Sequence, residues 1–508
     1  MNTRSVFRDL TPYFVYLLLV STIGPLLFGY HLAELNAPQA VVTCEQKSIS
    51  ATGLSLPQCI PMNSTQFGLV SSIFTLGGLF GALVAGPLAA RYGRFKLMLG
   101  TTSFFIVGPV FEALASNIAL FTVGRFVSGI GAGAAVVVVP IYISEVAPPK
   151  EKGFFGAFTQ VMINFGIFTT QLLGLFLSKG QLWRLIIGIG GAIGAAQAVG
   201  LVIYGSESPK WMADQGMATR AKRTLRKIRG HNADIDEEVK GWGLESDQDL
   251  DDEEQTLLSN EDHITQDRGH TSESSPAPSA GSKAKKAAKT AEKETVSILA
   301  VIRHPDSQPA VIAVVAVMVA QQLCGINSIV MYGVGLLSDL LGANSALLNV
   351  VVAAVNVLVT VACAPLIDYL GRKTTLILSI SGMGISSLLL AISIMKHIPI
   401  LSAVVVFTFV ASFGLGLGPV PFILSSELVG AEAVGATQSW ALGANWIATF
   451  VVAQFFPIVN EKLGGGRVYF IFAAVAAASA AFVAWWVPET KGRTSVDEVW
   501  GRAERRED

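Results

Sequence analysis

The chain has 508 residues, of which 51% are hydrophobic and only 14% are charged, and its formal net charge at pH 7 is −1. Soluble domains carry about 25% charged residues, so this composition excludes an ordinary soluble protein and predicts a multispanning protein of the lipid bilayer. The small net charge gives no reason to expect a nucleic-acid partner.

Twelve apolar segments are each long enough to cross a bilayer, which takes about 20 residues of helix. The first follows Arg4 and Arg8 without a small-residue cleavage site, so we expect a first span rather than a removable signal. The predicted spans cover residues 12–34, 66–90, 97–115, 119–143, 154–178, 183–204, 308–337, 343–367, 374–394, 400–427, 434–459 and 467–487.

Two cysteines, Cys44 and Cys59, lie in the first loop beside the sequon that begins at Asn63. If this loop faces the lumen or the exterior, a disulfide between them and a glycan on Asn63 are both expected. Two cysteines in one loop are also compatible with free thiols. Cys324 and Cys363 lie in apolar spans, where packing is the expected role.

Between the sixth and seventh spans the chain becomes polar and charged. The stretch from Lys210 to Ile228 has the pattern of one or two short basic amphipathic helices, and residues 240–295 are predicted to be disordered. We therefore divide the chain into an N-terminal six-helix bundle at 1–205, a cytoplasmic linker at 206–298, a C-terminal six-helix bundle at 299–487 and a cytoplasmic tail at 488–508.

Basic residues gather in alternate loops, on the side of the linker and of Arg4. By the positive-inside rule this side is cytoplasmic, and both termini should lie there. The residues that set this orientation are Arg91, Arg94, Lys96, Lys150, Lys152, Arg372, Lys373, Lys491 and Arg493.

Short motifs recur in the two halves of the chain. Ser144-Glu145-Val146 returns as Ser426-Glu427-Leu428, and Gly93-Arg94 returns as Gly371-Arg372. The repeat predicts an all-α membrane protein whose twelve transmembrane helices form two pseudo-symmetric six-helix bundles. Parallel six-helix halves with a site between them are typical of transporters that work by alternating access.

The motifs cover nearly the whole chain apart from the acidic linker, and together they resemble the sugar porter family of the major facilitator superfamily. The resemblance implies that superfamily's fold and sugar transport, without enzymatic activity, cofactor or metal. The segment from Phe28 to Gln39 resembles a fungal subgroup associated with the vacuolar membrane. The matching motifs are Arg91–Arg94, Gly124–Phe126, Pro140–Glu145, Glu207–Lys210, Gln321–Asn327, Gly371–Lys373, Gly418–Pro421 and Pro488–Arg493.

Three amide side chains in the seventh span indicate a neutral, hydroxylated ligand. Gln321, Gln322 and Asn327 lie where lipid offers no hydrogen-bond partner, and an amide both donates and accepts without carrying charge. They do not share one face of a straight helix. They converge only around a cavity or if the helix unwinds near Gly325, and the resemblance implies the unwinding.

The fifth span carries a stripe at Gln160, Ile163, Ile167 and Gln171, spaced by three, four and four residues. Helix packing alone also explains such a stripe. The resemblance implies hexose binding by the two glutamines and apolar walls from the isoleucines. It further implies sugar contacts or wall aromatics, for which packing is the alternative, at Tyr332, Asn356, Phe413, Phe422, Asn445 and Trp446.

Departures from the family pattern bear on the substrate. Gly414 stands where glucose transporters have a glutamate, and Phe422 stands where they have a tryptophan. Asn164 adds a polar group where related glucose transporters often have a small or apolar residue. We expect a hexose without favouring glucose, and inositol or another polyol is the alternative.

Three titratable residues, His31, Glu34 and Arg125, lie in the first and fourth spans. Proton-coupled relatives have an aspartate at the position of His31, paired with the equivalent of Arg125, whereas facilitators have a neutral residue. Histidine titrates near neutrality, and Glu34 lies one turn on. We predict proton-linked transport through His31 and Glu34. The alternative is a facilitative uniporter with a neutral, hydrogen-bonded His31.

Charges at the cytoplasmic helix ends repeat in both halves and predict ion pairs that hold the halves together in the outward-open state. Val434 replaces the arginine equivalent to Lys152, so a looser latch is expected in the second half, and Glu427→Gln should favour the inward-open state. The predicted gate residues are Arg91, Arg94, Glu145, Lys152, Glu207, Asp368, Arg372, Glu427 and Glu489.

Other functions are less compatible with the chain. A sensor that binds sugar without flux typically has a long cytoplasmic tail, whereas only about twenty residues follow Pro488 here. A membrane enzyme would need a catalytic set, and neither a His-Glu-x-x-His motif nor a nucleotide loop is found. Both the vacuolar and the plasma membrane fit the sequence.

Overall fold

The structure, a computed structural model, describes residues 10–46, 56–151, 155–156, 158–230, 233–242, 298–341, 344–430, 433–464, 466–493 and 496–501. Arg4, Lys152 and nearly all of the segment predicted to be disordered lie outside the described residues. The side chain of Asp368 is also outside the described part of the chain.

Twelve described helices are long and apolar enough to cross a membrane, which confirms the predicted count. The helices of the first half are α1 (Pro12–Ala33), α2 (Gln39–Val42), α3 (Ser64–Tyr92), α4 (Arg94–Ala113), α5 (Ile118–Val146), α6 (Phe158–Leu177) and α7 (Trp183–Tyr204). The linker contributes α8 (Pro209–Asp214), α9 (Ala218–Arg229) and α10 (Asp236–Gly241).

The second half contains two interrupted spans. The seventh is divided into α12 and α13, and in the tenth a π-helical turn at Phe413–Leu417 separates α16 from α17. The helices are α11 (Ile298–Arg303), α12 (Gln308–Leu323), α13 (Ile326–Leu341), α14 (Asn344–Leu370), α15 (Arg372–Met395), α16 (Pro399–Ser412), α17 (Val420–Glu427), α18 (Val434–Leu463), α19 (Val468–Trp486) and α20 (Val496–Val499).

Glycines allow the helices of the first half to pack closely. A Cβ atom on Gly81 would lie 2.1 Å from the carbonyl oxygen of Ile130, and one on Gly133 would lie 1.9 Å from that of Gly78. These contacts bring α3 and α5 together backbone to backbone. Such packing is typical of helices in lipid, where small residues replace hydrophobic burial as the basis of association.

The linker helices dock on one end of the first half, which we call the linker side. Thr11 Oγ1 donates to the carbonyl oxygen of Ile228 (2.6 Å), and Arg229 Nη1 donates to that of Val146 (2.6 Å). Trp211 Nε1 donates to the carbonyl oxygen of Ala90 (2.8 Å). The linker is therefore anchored to the first half at α1, α3 and α5.

The opposite end, which we call the loop side, carries the first loop. Cys44 and Cys59 form a disulfide, with their Cα atoms 5.3 Å apart. Trp183 Nε1 and Arg184 Nη2 donate to the carbonyl oxygens of Gln58 and Pro57, both at 2.9 Å. Asn63 is exposed, and its side chain caps α3 by accepting from the backbone of Gln66.

Candidate functional site

The seventh span unwinds at Gly325, which has a φ of 95°. A Cβ atom there would lie 2.4 Å from Cδ2 of Phe472, so both the backbone angle and the available space favour glycine. The break lets α13 start in a new direction. As a result, side chains that would diverge on a straight helix can meet.

Four amides meet at this break, and we call Gln321, Gln322, Asn327 and Asn445 the amide cluster. Gln322 Nε2 donates to Gln321 Oε1 (3.1 Å) and to Asn445 Oδ1 (3.3 Å). Asn327 Nδ2 donates to Gln322 Oε1 (2.5 Å), and Asn445 Nδ2 donates to Gln321 Oε1 (2.7 Å). Each amide both donates and accepts, so the hydroxyl groups of a ligand can replace these bonds.

The amide cluster is fixed to the break in the tenth span. Gln321 Nε2 donates to the carbonyl oxygens of Leu417 (2.8 Å) and Gly418 (2.9 Å), which the π-helical turn leaves accessible. Sequence reasoning missed this turn. Its available signal was the spacing of Gly414, Gly416 and Gly418.

A second polar group joins the two halves, and we call Gln160, Asn164, Asn356 and Thr360 the interhalf bridge. Asn164 Nδ2 donates to Thr360 Oγ1 (2.8 Å), and Asn164 Oδ1 accepts from Gln160 Nε2 (3.2 Å) and Asn356 Nδ2 (3.4 Å). Asn164 is therefore the centre of a contact between α6 and α14. Among the described residues, no hydrogen bond connects this bridge to the amide cluster.

The bridge has an unused acceptor beside Gly414. Oδ1 of Asn356 is buried without a hydrogen-bond partner, and a Cβ atom on Gly414 would lie 3.3 Å from it. The position at which glucose transporters have a glutamate thus faces the interhalf bridge. Its replacement by glycine leaves a buried acceptor that a hydroxyl donor from a ligand can satisfy.

The remaining stripe residues of α6 lie at the boundary between the halves. Ile163 and Ile167 pack with Ala33 and Ala353 in one buried cluster. Gln171 Nε2 lies 3.5 Å from the carbonyl oxygen of Ala33, and its Oε1 has no partner. The structure therefore places Gln160 and Gln171 in different polar environments.

The predicted aromatics have different surroundings. Trp446 is buried at the boundary of the halves, with its ring centroid 5.5 Å from that of Phe28. In this conformation its ring therefore packs against the protein. Tyr332 Oη donates to the carbonyl oxygen of Ala453 (2.5 Å). Phe413 is buried, whereas Phe422 on α17 is 41% exposed.

The two halves are held together on the loop side. Asn36 Nδ2 donates to the carbonyl oxygen of Val330 (2.9 Å), and its Oδ1 accepts from the backbone of Val334 (2.9 Å). Ser72 Oγ donates to Gln454 Oε1 (2.8 Å). Asn36 and Ser72 thus supply hydrogen bonds between the bundles on this side, in addition to those of Asn164 in the interhalf bridge. This conformation is thus closed on the loop side.

Replacing Asn36 with leucine should open the loop side more often. Each lost hydrogen bond contributes about 1 kcal/mol, so losing two shifts the population by roughly tenfold or more. The measurement is thiol labelling of a cysteine introduced at Gln39, with Asn349→Leu as the matched control because Asn349 bonds only within its own helix. Equal labelling rates in both variants would contradict the role of Asn36.

Buried charges cluster inside the first half. His31 Nδ1 lies 2.9 Å from Glu34 Oε2, while Arg125 Nη1 donates to Glu34 Oε1 and to the carbonyl oxygen of His31 (2.7 Å). Glu34 therefore lies between the imidazole and the guanidinium group. The repulsion that a protonated His31 would meet from Arg125 is offset by this carboxylate.

Sequence reasoning missed Glu112, a fourth member of this cluster. It is fully buried on α4, accepts from Ser128 Oγ at Oε1 (2.6 Å), and has Oε2 3.9 Å from Arg125 Nη1. The available signal was an acidic residue inside an apolar span, where such residues are costly.

The linker-side charges form the same arrangement in both halves. Arg94 makes a two-pronged contact with Glu145 (2.9 and 2.7 Å), and Arg372 makes one with Glu427 (3.2 and 3.0 Å). Glu207 and Glu489 accept from the backbone nitrogens of Arg94 and Arg372, both at 2.8 Å. Each network thus fixes a helix start within its own bundle.

The predicted gate concerns the outward-open state, so these pairs in the present conformation leave it untested. The Arg94–Glu145 and Arg372–Glu427 ion pairs each lie within one half, because each arginine starts a helix beside the carboxylates of its own bundle. Arg91 is exposed and lies over the ring of Tyr92 instead. A latch across the halves in the outward-open state stays a prediction, and Lys152 and the Asp368 side chain lie outside the described part.

Comparisons with known proteins cover nearly the whole chain. Residues 17–267 and 257–500 match the family model described as Sugar (and other) transporter. A probable metabolite transport protein of Saccharomyces cerevisiae is 32% identical over 95% of this chain and 94% of its own. Vacuolar protein sorting-associated protein 73 of the same yeast is also 32% identical, over 95% of each chain.

A solved structure with a similar fold is the xylose transporter XylE from E. coli in a partially occluded inward-open conformation. It has a TM-score of 0.69 and 22% sequence identity, and the match covers 96% of this chain and 100% of that one. A facilitated glucose transporter of Gallus gallus, member 3 of solute carrier family 2, is 28% identical over 96% of this chain and 92% of its own.

Proposed function

The chain belongs to the Sugar (and other) transporter family, and from this premise we propose that it carries a neutral hexose across a membrane by alternating access. The observation that carries the proposal is the amide cluster at the broken seventh span. The cluster lies in a pair of bundles whose halves contact each other on the loop side. Relatives support the class of substrate, since one is named a facilitated glucose transporter. The proposal involves no catalytic step.

The hexose is held, in this proposal, by the amide cluster from the second half and by Gln160 from the first. The ligand must contact both halves, because a ligand bound to one half alone would not shift the equilibrium between the outward-open and inward-open states. Ile163 and Ile167 supply an apolar wall, and Trp446 becomes available for stacking when the interface around Phe28 loosens.

The specificity should differ from that of a glucose carrier. Gly414 supplies no carboxylate, and the free acceptor of Asn356 beside it favours a hydroxyl in a different position. A competition panel of hexoses, pentoses and polyols against labelled hexose in proteoliposomes tests this. Displacement by hexoses supports the proposal, whereas displacement by inositol alone would favour a polyol carrier.

We also propose that transport is linked to protons through His31 and Glu34. The support is geometric, since Glu34 bonds both His31 and Arg125 and can compensate either protonation state of the imidazole. Uptake with and without a pH gradient is the test. Unchanged flux without proton movement would favour the facilitative uniporter.

The proposed orientation places the linker and both termini in the cytoplasm, in a vacuolar or plasma membrane. The disulfide of Cys44 and Cys59 on the loop side supports an oxidising compartment there, in which Asn63 could carry a glycan. A relative named for vacuolar protein sorting supports the vacuole. With this orientation, the structure is closed to the lumen or exterior. Protease protection of the linker in sealed vesicles tests the orientation.

A further inference from the structure

Glu112 brings a second carboxyl group to the buried charge cluster of the first half. Its Oε1 accepts from Ser128, but its Oε2 has no hydrogen-bond partner. Glu34, by contrast, uses both oxygens, one for Arg125 and one for His31. Glu34 is thus already the fixed counter-ion of the cluster, and Glu112 is not needed to neutralise Arg125.

The charges that face Glu112 do not balance without a proton. Arg125 on α5 lies 3.9 Å from Oε2 of Glu112 and pairs with Glu34 at the end of α1, which His31 also contacts, and Arg184 on α7 donates to the carbonyl oxygen of the adjacent Ala113 (2.6 Å). Arg184 also donates to Pro57 and lies toward the loop side, away from the carboxyl pair. One guanidinium group and two carboxylates leave an excess negative charge, which costs several kcal/mol in a buried site.

Two arrangements of one proton make the cluster neutral. In the first, Glu112 is protonated at Oε2 and His31 is neutral. In the second, Glu112 is ionised and His31 is doubly protonated. When Nδ1–H of His31 donates to Glu34, its Nε2 is a free acceptor, and this atom is also buried without a partner.

We propose that Glu112 is a proton carrier of the transport cycle, which passes the proton on its Oε2 to the free Nε2 of His31 or to water once a conformational change opens the cluster. The O–H bond of the carboxyl breaks and an N–H or water O–H bond forms, so one proton is conserved and no other reactant is required. This inference rests on the proposed proton-linked transport. It adds a residue on α4 to the groups on α1 and α5.

The test compares Glu112→Gln with the wild-type protein in proteoliposomes, using labelled hexose. Glutamine keeps the volume and the acceptor for Ser128 but cannot release a proton. We expect the accumulation driven by a pH gradient to fall to a ratio near one while exchange at equal pH remains measurable. Accumulation by this variant at the wild-type level would overturn the role of Glu112. Glu461→Gln, an exposed acid on α18, is the control.

Measurements on the wild-type protein distinguish a failure of the proposed transport from a failure of the proposed proton coupling. Absence of hexose exchange would reject the proposed transport itself, whereas exchange without any gradient-driven accumulation would reject proton coupling and the role of Glu112 with it. If Glu112→Gln does not fold, Ser128→Ala provides the second variant, since it removes the hydrogen bond to Oε1 and keeps the carboxyl. The pH at which accumulation is half-maximal should then move upward. An unmoved profile would overturn the proposal.

Discussion

Hexose exchange by a Gln322→Ala variant is expected to fall about 100-fold relative to wild type, because several partners lose a bond at once. Gln322 donates to Gln321 and Asn445 and accepts from Asn327, so its removal leaves unpaired groups throughout the amide cluster. Each buried group left unsatisfied costs about 1–3 kcal/mol. The measurement is labelled hexose exchange in proteoliposomes at matched protein density.

The matched control is Gln438→Ala. Gln438 lies on α18, the helix that also carries Asn445, but it bonds to Ser425 Oγ (3.2 Å) and not to the amide cluster. Its loss should change exchange by less than a few fold. If both glutamine variants exchange hexose equally well, the amide cluster is not the sugar site.

Replacing Arg125 with methionine should destabilise the protein by about 3–5 kcal/mol, which is the cost of leaving buried charges without their partner. The substitution removes the positive charge that faces both Glu34 and Glu112, in a cluster with no access to water. Thermal unfolding in detergent, with the yield of monodisperse protein, measures the effect. The double variant Arg125→Met/Glu34→Gln should recover part of the loss.

Arg184→Met is the control for that experiment. Arg184 is also a buried arginine of the first half, but its described hydrogen bonds go to backbone carbonyls rather than to carboxylates. Its removal leaves no uncompensated charge, so the loss of stability should be smaller. If Arg184→Met destabilises as strongly as Arg125→Met, unpaired charge is not what makes Arg125 important.

The fold was predictable because bilayer thickness and internal repetition constrain it strongly. Apolar runs of sufficient length predicted the twelve spans. The amides around Gly325 were compatible with a cavity or with an unwound seventh helix, and the family resemblance favoured the unwinding that is observed. The interruption of the tenth span was not predicted, because Phe413–Leu417 is as apolar as the helix around it. The role of this interruption, which is to offer carbonyl oxygens to Gln321, follows only from the hydrogen bonds of Gln321 with Leu417 and Gly418.

The contacts between side chains were harder to predict than the helices. Charges that repeat in both halves are compatible with pairs within a bundle or across bundles, and the sequence pattern alone cannot distinguish Arg94–Glu145 from a contact between halves. Asn36 was overlooked because it lies just beyond α1, where a polar residue is ordinary. Its importance follows from α13 lying against it, which is a tertiary contact.

The most direct test of the central claim is counterflow of labelled hexose through purified protein in liposomes. A carrier that works by alternating access should show saturable uptake that is accelerated by unlabelled hexose on the opposite side and reduced by Gln322→Ala. Flux equal to that of protein-free liposomes, despite measurable hexose binding, would contradict transport and would instead indicate a sensor.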